Sequence, residues 1–308
     1  MKTIGIIFGM ENTFPGGVVD RINGMRLDGI TAEFVKTGGV FDLRPVRYDV
    51  IIDRISHDIP FYRSFLKHAA LQGCCVINDP FWWSADDKFI DILLASRAGV
   101  SVPRTVILPS REHPPNTTSA SMRNLEYPLN WDEIFAYVGF PLFMKPHDGG
   151  GWRDVYKIHT PEELFYHYNQ SGAQCMMLQE AIEYEAYYRC YCVGKREVRI
   201  MPYAPHHPMH LRYMVEYHNQ PAALFERMRR DTIAVNAALG YDLNTVEFAV
   251  RNGVPYAIDY MNPAPDCDLY SVGQDNFDWI VDAVARLAVD CLLHERKNAV
   301  YTEKAPGS

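Results

Sequence analysis

A lysine followed by a glycine-rich segment is the first place in this sequence where chemistry could occur. Lys145 ends an apolar run, and the segment after it contains Gly149, Gly150, Gly151 and Trp152. An ordered glycine costs about 1 kcal/mol more conformational entropy than alanine, so three in a row should serve a purpose. A backbone that closes its N–H groups over phosphates beside a lysine charge is one such purpose. The segment matches neither GxxxxGK[ST] nor GxGxxG, and a fixed structural turn is the alternative.

Oxygen-bearing side chains near residues 247–262 form a second candidate site. Glu247 lies on one predicted strand, Asp259 lies on the next, and Asn262 follows it. Paired strands are only about 5 Å apart, so one face could present these oxygens to a shared hard cation such as Mg²⁺. A pair of solvated acids at strand ends is the alternative.

Other polar clusters give weaker signals. The acidic connection 179–185 could offer backbone groups to an adenine edge and a carboxylate to ribose hydroxyls, or it is an ordinary linker. His206, His207 and His210 lie in a proline-flanked loop without a nearby cysteine, which does not favour zinc. No GxSxG elbow supports serine nucleophile chemistry. We expect the pair Trp82-Trp83 to serve packing.

Alternating strands and helices in the first hundred residues predict a parallel sheet. We expect strands at 3–8, 48–53 and 74–78 and helices at 18–35 and 62–72. Apolar runs separated by helices of this length are typical of βαβ units.

The middle of the chain predicts a second set of elements. We expect strands at 105–108, 141–145 and 155–159, a polar loop at 110–124 and a helix at 131–138. Thr160 is the predicted N-cap of a further helix, with Pro161 at its first position and Glu163 closing a capping box.

The last third predicts two hairpins and two long helices. The strands are expected at 187–193 and 197–201 around Gly194-Lys195, and at 245–250 and 256–261 around Asn252-Gly253, after a strand at 176–179. The helices are expected at 221–239 and 276–295, the latter with an apolar stripe that belongs to the core. The tail after Lys297 is expected to fray.

Composition restricts the class of protein. The chain has 308 residues, of which 48% are hydrophobic, and one core rarely extends beyond about 250–300 residues, so we expect two or three compact units. A net charge of −8 argues against non-specific nucleic-acid binding. Without an apolar run of about 18 residues or a convincing signal peptide, we expect a cytoplasmic protein that does not bind membranes. Seven cysteines without CxxC spacing should be reduced and mostly buried, and a homo-oligomer is compatible with this composition.

The order of these motifs resembles the ATP-grasp superfamily, most nearly the RimK-like ligases and glutathione synthetases. The similar segments are 48–54, 60–63, 76–80, Asp87-Lys88, the 98–105 stretch AGVSVPRT, Phe143-Met144-Lys145-Pro146 with the glycine-rich loop, Gln179-Glu180, and finally Glu247 with Asp259 and Asn262. The resemblance therefore spans roughly residues 48–265, which is most of the chain.

The resemblance implies a role for each matching position. Lys88 and Lys145 would contact the α and β phosphates of ATP, and the loop of Gly149, Gly150, Gly151 and Trp152, up to Arg153, would close over the β and γ phosphates. Gln179 and Glu180 form the hinge, where Glu180 and the backbone of Ile182 would hold adenine. Glu185, or else Glu183, would bind ribose. Glu247, Asp259 and Asn262 would bind two Mg²⁺ ions.

Three departures from the family pattern concern the reacting end of the nucleotide. The family ends in Glu-x-Asn, whereas Asp259 is separated from Asn262 by one extra residue. Its Asp-x-Arg appears as Tyr187-Tyr188-Arg189, and the basic pair near residues 201–203 is missing, with Arg212 or Arg199 as the substitute.

The implied fold is α/β, with a Rossmann-like pre-ATP-grasp domain at 1–104, a central lid at 105–178 and a C-terminal catalytic subdomain at 179–308. The implied activity is ATP-dependent carboxylate–amine ligation through an acyl phosphate, releasing ADP and phosphate. Its substrates would be amino acids, small acids or peptides, and Arg54, Arg63 and the Pro15-Gly16-Gly17 loop would meet the acid. An ATP-binding protein of this fold without ligase activity, or a phosphotransferase, is the alternative.

Overall fold

A computed structural model describes residues 1–148, 150 and 153–298 as two compact units. The first unit comprises Met1–Asp86, Ala186–Phe248 and the chain from Asp259 onward. The second comprises Asp87–Glu185 and Ala249–Ile258. The division into domains 1–104, 105–178 and 179–308 stays a prediction.

The first unit begins with a four-stranded parallel sheet. Its strands are β1 (Lys2–Phe8), β2 (Ile30–Phe34), β3 (Val50–Arg54) and β4 (Cys75–Ile77), in the order β2-β1-β3-β4. Helices α1 (Phe14–Gly24) and α2 (Pro60–Leu71) follow β1 and β3. The βαβ prediction is therefore confirmed.

The predicted helix at 18–35 is wrong in its second half. Helix α1 ends at Gly24, the chain turns through Arg26 and Gly29 with positive φ, and residues Ile30–Phe34 form β2. Parallel pairing with β1, in the register Lys2↔Ile30, supplies backbone hydrogen bonds that override the apparent helical spacing.

The second unit contains an antiparallel sheet. Its strands are β5 (Thr105–Leu108), β6 (Leu142–Pro146), β7 (Tyr156–Ile158) and β8 (Met176–Glu180), in the order β5-β8-β6-β7. The unit also contains helices α3 (Lys88–Arg97), α4 (Trp131–Val138) and α5 (Pro161–Gln170). Leu142 and Met144 pack in the same core as Leu164 of α5, which leaves Phe143 and Lys145 on the opposite face of the sheet.

The start of α5 is close to the predicted capping box. The Thr160 hydroxyl accepts a hydrogen bond from the Glu163 amide at 3.3 Å, and Pro161 occupies the first turn. The Glu163 carboxylate accepts from the His159 amide at 2.7 Å rather than from Thr160 itself.

A third sheet contains the predicted hairpin around Asn252-Gly253. Its strands are β9 (Ala186–Val193), β10 (Glu197–Pro202), β11 (Leu243–Arg251) and β12 (Val254–Asp259), in the order β10-β9-β11-β12. Asn252 and Gly253 both have positive φ, as the predicted two-residue turn requires. Helix α6 (Ala222–Leu239) packs against β9 and β10, and the short α7 (Leu269–Val272) precedes α8 (Gln274–Leu293).

Strand β12 ends at Asp259, two residues before its predicted end. The side chain of Asn244 takes over the hydrogen bonds of the next residues, since its amide donates to the Tyr260 carbonyl and its oxygen accepts from the Asn262 amide. The Asn244 side chain thus replaces the backbone hydrogen bonds of a strand at the position of Asn262.

All seven cysteines lie among the described residues and none forms a disulfide, as predicted; six are buried, and Cys175 is half-buried. Burial raises the pKa of the Cys190, Cys192 and Cys267 thiols to about 12. Over the described residues, no helix is both long and apolar enough to cross a membrane.

Candidate active site

Lys145 and Gln179 come together in the second unit. The Lys145 ammonium donates to the Gln179 side-chain oxygen at 2.9 Å. The register explains the contact, because Lys145 pairs with Met177 and Phe143 with Gln179, which makes Lys145 and Gln179 diagonal neighbours on one face. This face is opposite the aromatic core of α4 and α5.

The backbone of Lys88 is hydrogen-bonded to the segment that follows Lys145. It is the first residue of α3, whose N-cap is Asp87, and its amide donates to the His147 carbonyl at 2.9 Å. The backbone thus joins the start of α3 to the start of the glycine-rich loop.

Of the glycine-rich loop, Gly149, Gly151 and Trp152 lie outside the described residues. A Cβ atom added to Gly150 would meet no atom of the other described residues within 4 Å. Packing therefore gives no reason for glycine at this position.

Glu180 is held by two arginines of its own unit. Its carboxylate accepts from Arg251 at 2.9 Å and from the Arg104 side chain at 3.2 Å. Burial opposes ionisation of Glu180, but the hydrogen bonds from Arg251 and Arg104 outweigh it and lower its pKa. Ile182, two residues later, is buried.

Both ribose candidates lie in the connection that follows. Glu185 accepts from the Gly253 amide at 3.0 Å, which ties it to the hairpin turn, and Glu183 is exposed. The predicted preference for Glu185 stays a prediction.

A polar cluster lies on one face of the third sheet, in the first unit. The Tyr187 hydroxyl donates to one Glu247 oxygen at 2.5 Å, and the Arg189 guanidinium lies 3.5 Å from the other. Tyr187 and Arg189 are two residues apart on β9, so they point to the same side. Burial, followed by the negative charges of Glu247 and Asp259, raises the pKa of Tyr187 well above its usual value.

The residues present fit a hard cation. The charge of Asp259, like that of Glu247, raises the pKa of Tyr187. The Asn262 side-chain nitrogen is buried and makes no hydrogen bond, and rotation of that amide would present an oxygen there instead. Two carboxylates and an amide oxygen are ligands that Mg²⁺ accepts. Among the described residues, no group of three or more His, Cys, Asp or Glu side chains is placed so that it could hold a metal ion.

Solved structures share this architecture along nearly the whole chain. D-Alanine–D-alanine ligase from Bacillus anthracis, solved with ATP, matches with a TM-score of 0.62 and 18% identity, covering 96% of this chain and 98% of its own. A RimK-domain ATP-grasp protein from Sphaerobacter thermophilus matches with a TM-score of 0.64 and 13% identity, covering 93% and 99%.

The chain has the ATP-grasp fold. The macrocyclase MdnC from Microcystis aeruginosa, solved with its precursor peptide MdnA, shares the fold with a TM-score of 0.58 and 15% identity, covering 94% of this chain and 100% of its own. No protein-family model matches the chain, and no curated protein matches its sequence. The similarity therefore lies in the fold.

Within the ATP-grasp fold, the two candidate substitutes for the missing basic pair have different partners. Arg199 of β10 lies opposite Tyr191 and donates to Asn276 at 2.9 Å. Arg212 donates to the His207 carbonyl at 3.1 Å and to the Tyr203 hydroxyl at 3.3 Å. Arg212 thus contacts a tyrosine whose ring also lies beside Arg189.

The arginines expected to meet an acid substrate make internal contacts in the first unit. Arg54 is buried, pairs with Glu11 and donates to the Pro265 carbonyl, while one terminal nitrogen lacks a partner. Arg63 donates to the Ser56 and His57 carbonyls and lies over the ring of Trp83. Trp83 is buried, as expected for packing, but Trp82 is exposed. Acid binding by either arginine stays a prediction.

Sequence reasoning did not include Tyr187 and Arg189 among the site residues. Arg189 donates to the Tyr213 hydroxyl at 3.0 Å, and its guanidinium lies 5.4 Å from the Tyr203 ring centroid. The available signal was one charged residue in the otherwise apolar and fully buried strand β9. A buried charge is costly unless paired, so it marks a place where acceptors must converge.

Proposed function

We propose that this ATP-grasp protein is an ATP-dependent carboxylate–amine ligase that uses Mg²⁺, forms an acyl phosphate, and releases ADP and phosphate. The observation that carries the proposal is the likeness, over 96% of the chain, to a ligase solved with ATP. The contacts within each unit support it. Lys145 and Gln179 meet in the second unit, and Glu247 and Asp259 lie near Tyr187 in the first.

The second unit supplies the nucleotide-binding groups in this proposal. Lys145 and Lys88 place positive charge at the α and β phosphates, and the loop of Gly149–Arg153 covers the β and γ phosphates. Gln179, Glu180 and the backbone of Ile182 hold adenine. Because Arg104 already binds the Glu180 carboxylate and accepts from its amide, and Arg251 binds the same carboxylate, the proposal leaves adenine recognition mainly to the backbone of Ile182.

The first unit supplies the groups that act at the reacting phosphate. Glu247, Asp259 and Asn262 hold the metal, and Arg212 or Arg199 adds positive charge. When bound, Mg²⁺ supplies charge neutralisation at the phosphoryl oxygens. The protein residues contribute positioning and electrostatic stabilisation, which dominate catalysis of phosphoryl transfer.

The substrates we propose are an amino acid, small acid or peptide and an amine, and the setting is the cytoplasm. The substrate carboxylate attacks the γ phosphorus, ADP leaves, and the amine attacks the acyl carbon and displaces phosphate. A D-alanine–D-alanine ligase and a macrocyclase bound to its precursor peptide share the fold, which supports small acids and peptides equally.

Product analysis tests the proposal. The protein is incubated with ATP, Mg²⁺ and pools of amino acids, dicarboxylates and short peptides, with the acids or the amines omitted in turn, and ADP, AMP and phosphate are measured. We expect ADP and phosphate only when acid and amine are both present, and none from Glu247→Gln. Formation of AMP would contradict the proposal. ADP from acid alone would favour a phosphotransferase, and ATP binding without turnover would favour a binding protein.

A further inference from the structure

A cavity of about 740 Å³ in the second unit is lined by the loop that follows β5 and by residues of α4 and α5. Its volume lies within the range of about 300–1,000 Å³ that is usual for small-ligand sites. The apolar wall includes Met122 and Leu125 of the loop, Trp131 of α4 and Phe165 of α5. The rings of Trp131 and Phe165 meet edge to face, with 5.0 Å between their centroids. An aromatic or large apolar group fits such a wall.

The cavity lies on the face of the antiparallel sheet that is opposite Lys145 and Gln179. Trp131 and Phe165 pack in the same core as Met144 of β6, and successive side chains of a strand point to opposite faces. A ligand in the cavity would therefore lie on the other side of the sheet from the groups that we assign to the nucleotide.

Two neighbouring residues of opposite charge, Arg111 and Glu112, also line the cavity. The Arg111 Nε atom donates to the Asn169 side-chain oxygen at 2.8 Å, which anchors the guanidinium to α5 and leaves its two terminal nitrogens as donors. The Glu112 amide donates to the Gly172 carbonyl at 2.9 Å, which fixes the backbone there. Within the described part of the chain, neither charged side chain forms an ion pair. The cavity can therefore receive a carboxylate at Arg111 and an ammonium group at Glu112.

We infer that this cavity binds the zwitterion of an amino acid with an aromatic or large apolar side chain. Arg111 binds the carboxylate, Glu112 binds the ammonium group, and the side chain lies against Trp131 and Phe165. An acid without an amine would bring its charge close to Glu112 uncompensated, and an amine without an acid would do the same at Arg111, whereas a zwitterion complements both. The inference does not depend on the proposed function, because no residue assigned to the nucleotide or the metal takes part in it.

Ligand-observed ¹⁹F NMR tests the inference with three probes that share one ring system. They are 5-fluoro-L-tryptophan, 5-fluorotryptamine, which lacks the carboxylate, and 5-fluoroindole-3-propionate, which lacks the ammonium group. Each probe is titrated against the full chain without ATP. We expect 5-fluoro-L-tryptophan to bind about three- to tenfold more tightly than either of the others, as expected for charge-assisted contacts that solvent partly screens.

Substitutions of the two charged residues should change the affinities selectively. Arg111→Gln should weaken binding of the two probes with a carboxylate and not that of 5-fluorotryptamine. Glu112→Gln should weaken binding of the two probes with an ammonium group and not that of the propionate. Arg123→Gln and Glu126→Gln are the matched controls, since both residues are exposed on the same loop and neither lines the cavity. They should leave all three affinities unchanged.

Leu125→Ser tests the apolar wall. Leu125 is 38% exposed, so the fold should tolerate the change, and all three probes should bind more weakly. Absence of 5-fluoro-L-tryptophan binding to the wild-type protein would overturn the inference. Affinities that Arg111→Gln and Glu112→Gln leave unchanged would also overturn it, because the amino acid would then bind elsewhere, and so would unchanged affinities in Leu125→Ser.

Discussion

Two lysines on one sheet of the second unit differ in their surroundings. Lys145 is half-buried and contacts Gln179, whereas Lys157 on β7 is exposed. Charge-assisted hydrogen bonds contribute about 1.5–3 kcal/mol, so Lys145→Ala should weaken ATP binding by about 10- to 150-fold. Calorimetric titration measures this, with Lys157→Ala as the control. Unchanged ATP affinity in a folded Lys145→Ala protein would assign Lys145 a structural role.

The position of Asp259 can be tested against that of Glu247. The proposed function takes both carboxylates as ligands of the metal. Asp259→Asn and Glu247→Gln should each raise the Mg²⁺ concentration needed for nucleotide binding, by at least about tenfold, because each removes an anionic ligand. Calorimetric titration with ATP over a Mg²⁺ series measures the effect. A fully active Asp259→Asn protein would mean that the extra residue before Asn262 turns this carboxylate away from the metal.

Glu180 should make stability depend on pH. Hydrogen bonds from Arg251 and Arg104 lower its pKa in the folded state below the ordinary value of about 4.3. Such a group stabilises the fold fully above about pH 4.3 and loses that contribution as pH falls through the lowered pKa. In urea denaturation from pH 7 to pH 3, the free energy of unfolding of the wild-type protein should exceed that of Glu180→Gln, and this difference should shrink below about pH 4.3. Glu183→Gln, at an exposed carboxylate, is the control, and an advantage independent of pH would contradict the assignment.

At the scale of single elements, the N-cap of α5 gives a stability prediction. Thr160→Ala removes the acceptor for the Glu163 amide and should lower the free energy of unfolding by about 1 kcal/mol. Thr160→Ser keeps the hydroxyl and should retain most of that stability. Urea denaturation compares the two variants, and equal losses would mean that the methyl group rather than the cap matters.

The elements predicted best have signals within a few residues. Trp131–Val138 and Thr105–Leu108 have the predicted bounds, and the turn at Asn252-Gly253 has the positive φ angles that its residues favour. The predicted helix at 18–35 failed because Ile30–Phe34 is fixed by pairing with β1, a contact between distant residues. Local spacing contains no information about such a partner.

The same difference between local signals and long-range contacts applies to the residues of the candidate site. The oxygen donors of β11 and β12 were predicted from one hairpin, in which sequence neighbours become spatial neighbours. Arg104 and Arg251, which donate to Glu180, lie 76 and 71 residues from it in the sequence. Tyr187 and Glu247 are 60 residues apart. Contacts between distant parts of the chain bring these groups together, so the acids could be predicted from the sequence but their partners could not.

At the scale of the whole molecule, the two units contain different parts of the proposed chemistry. The second unit contains Lys88, Lys145 and Glu180, and the first contains Glu247, Asp259 and Asn262. Solved structures with 13–18% identity share the fold, so the elements tolerate extensive substitution. Variants confined to one unit can therefore separate nucleotide binding from metal binding.

The fate of the carboxylate oxygen tests the central claim most directly. Acids labelled with ¹⁸O in the carboxylate are incubated with the protein, ATP, Mg²⁺ and amines, and the phosphate released is analysed by mass spectrometry. If the carboxylate attacks the γ phosphorus and the amine then displaces phosphate, one labelled oxygen passes to each phosphate released with ADP. Unlabelled phosphate accompanying product formation, or label recovered in AMP, would contradict ligation through an acyl phosphate.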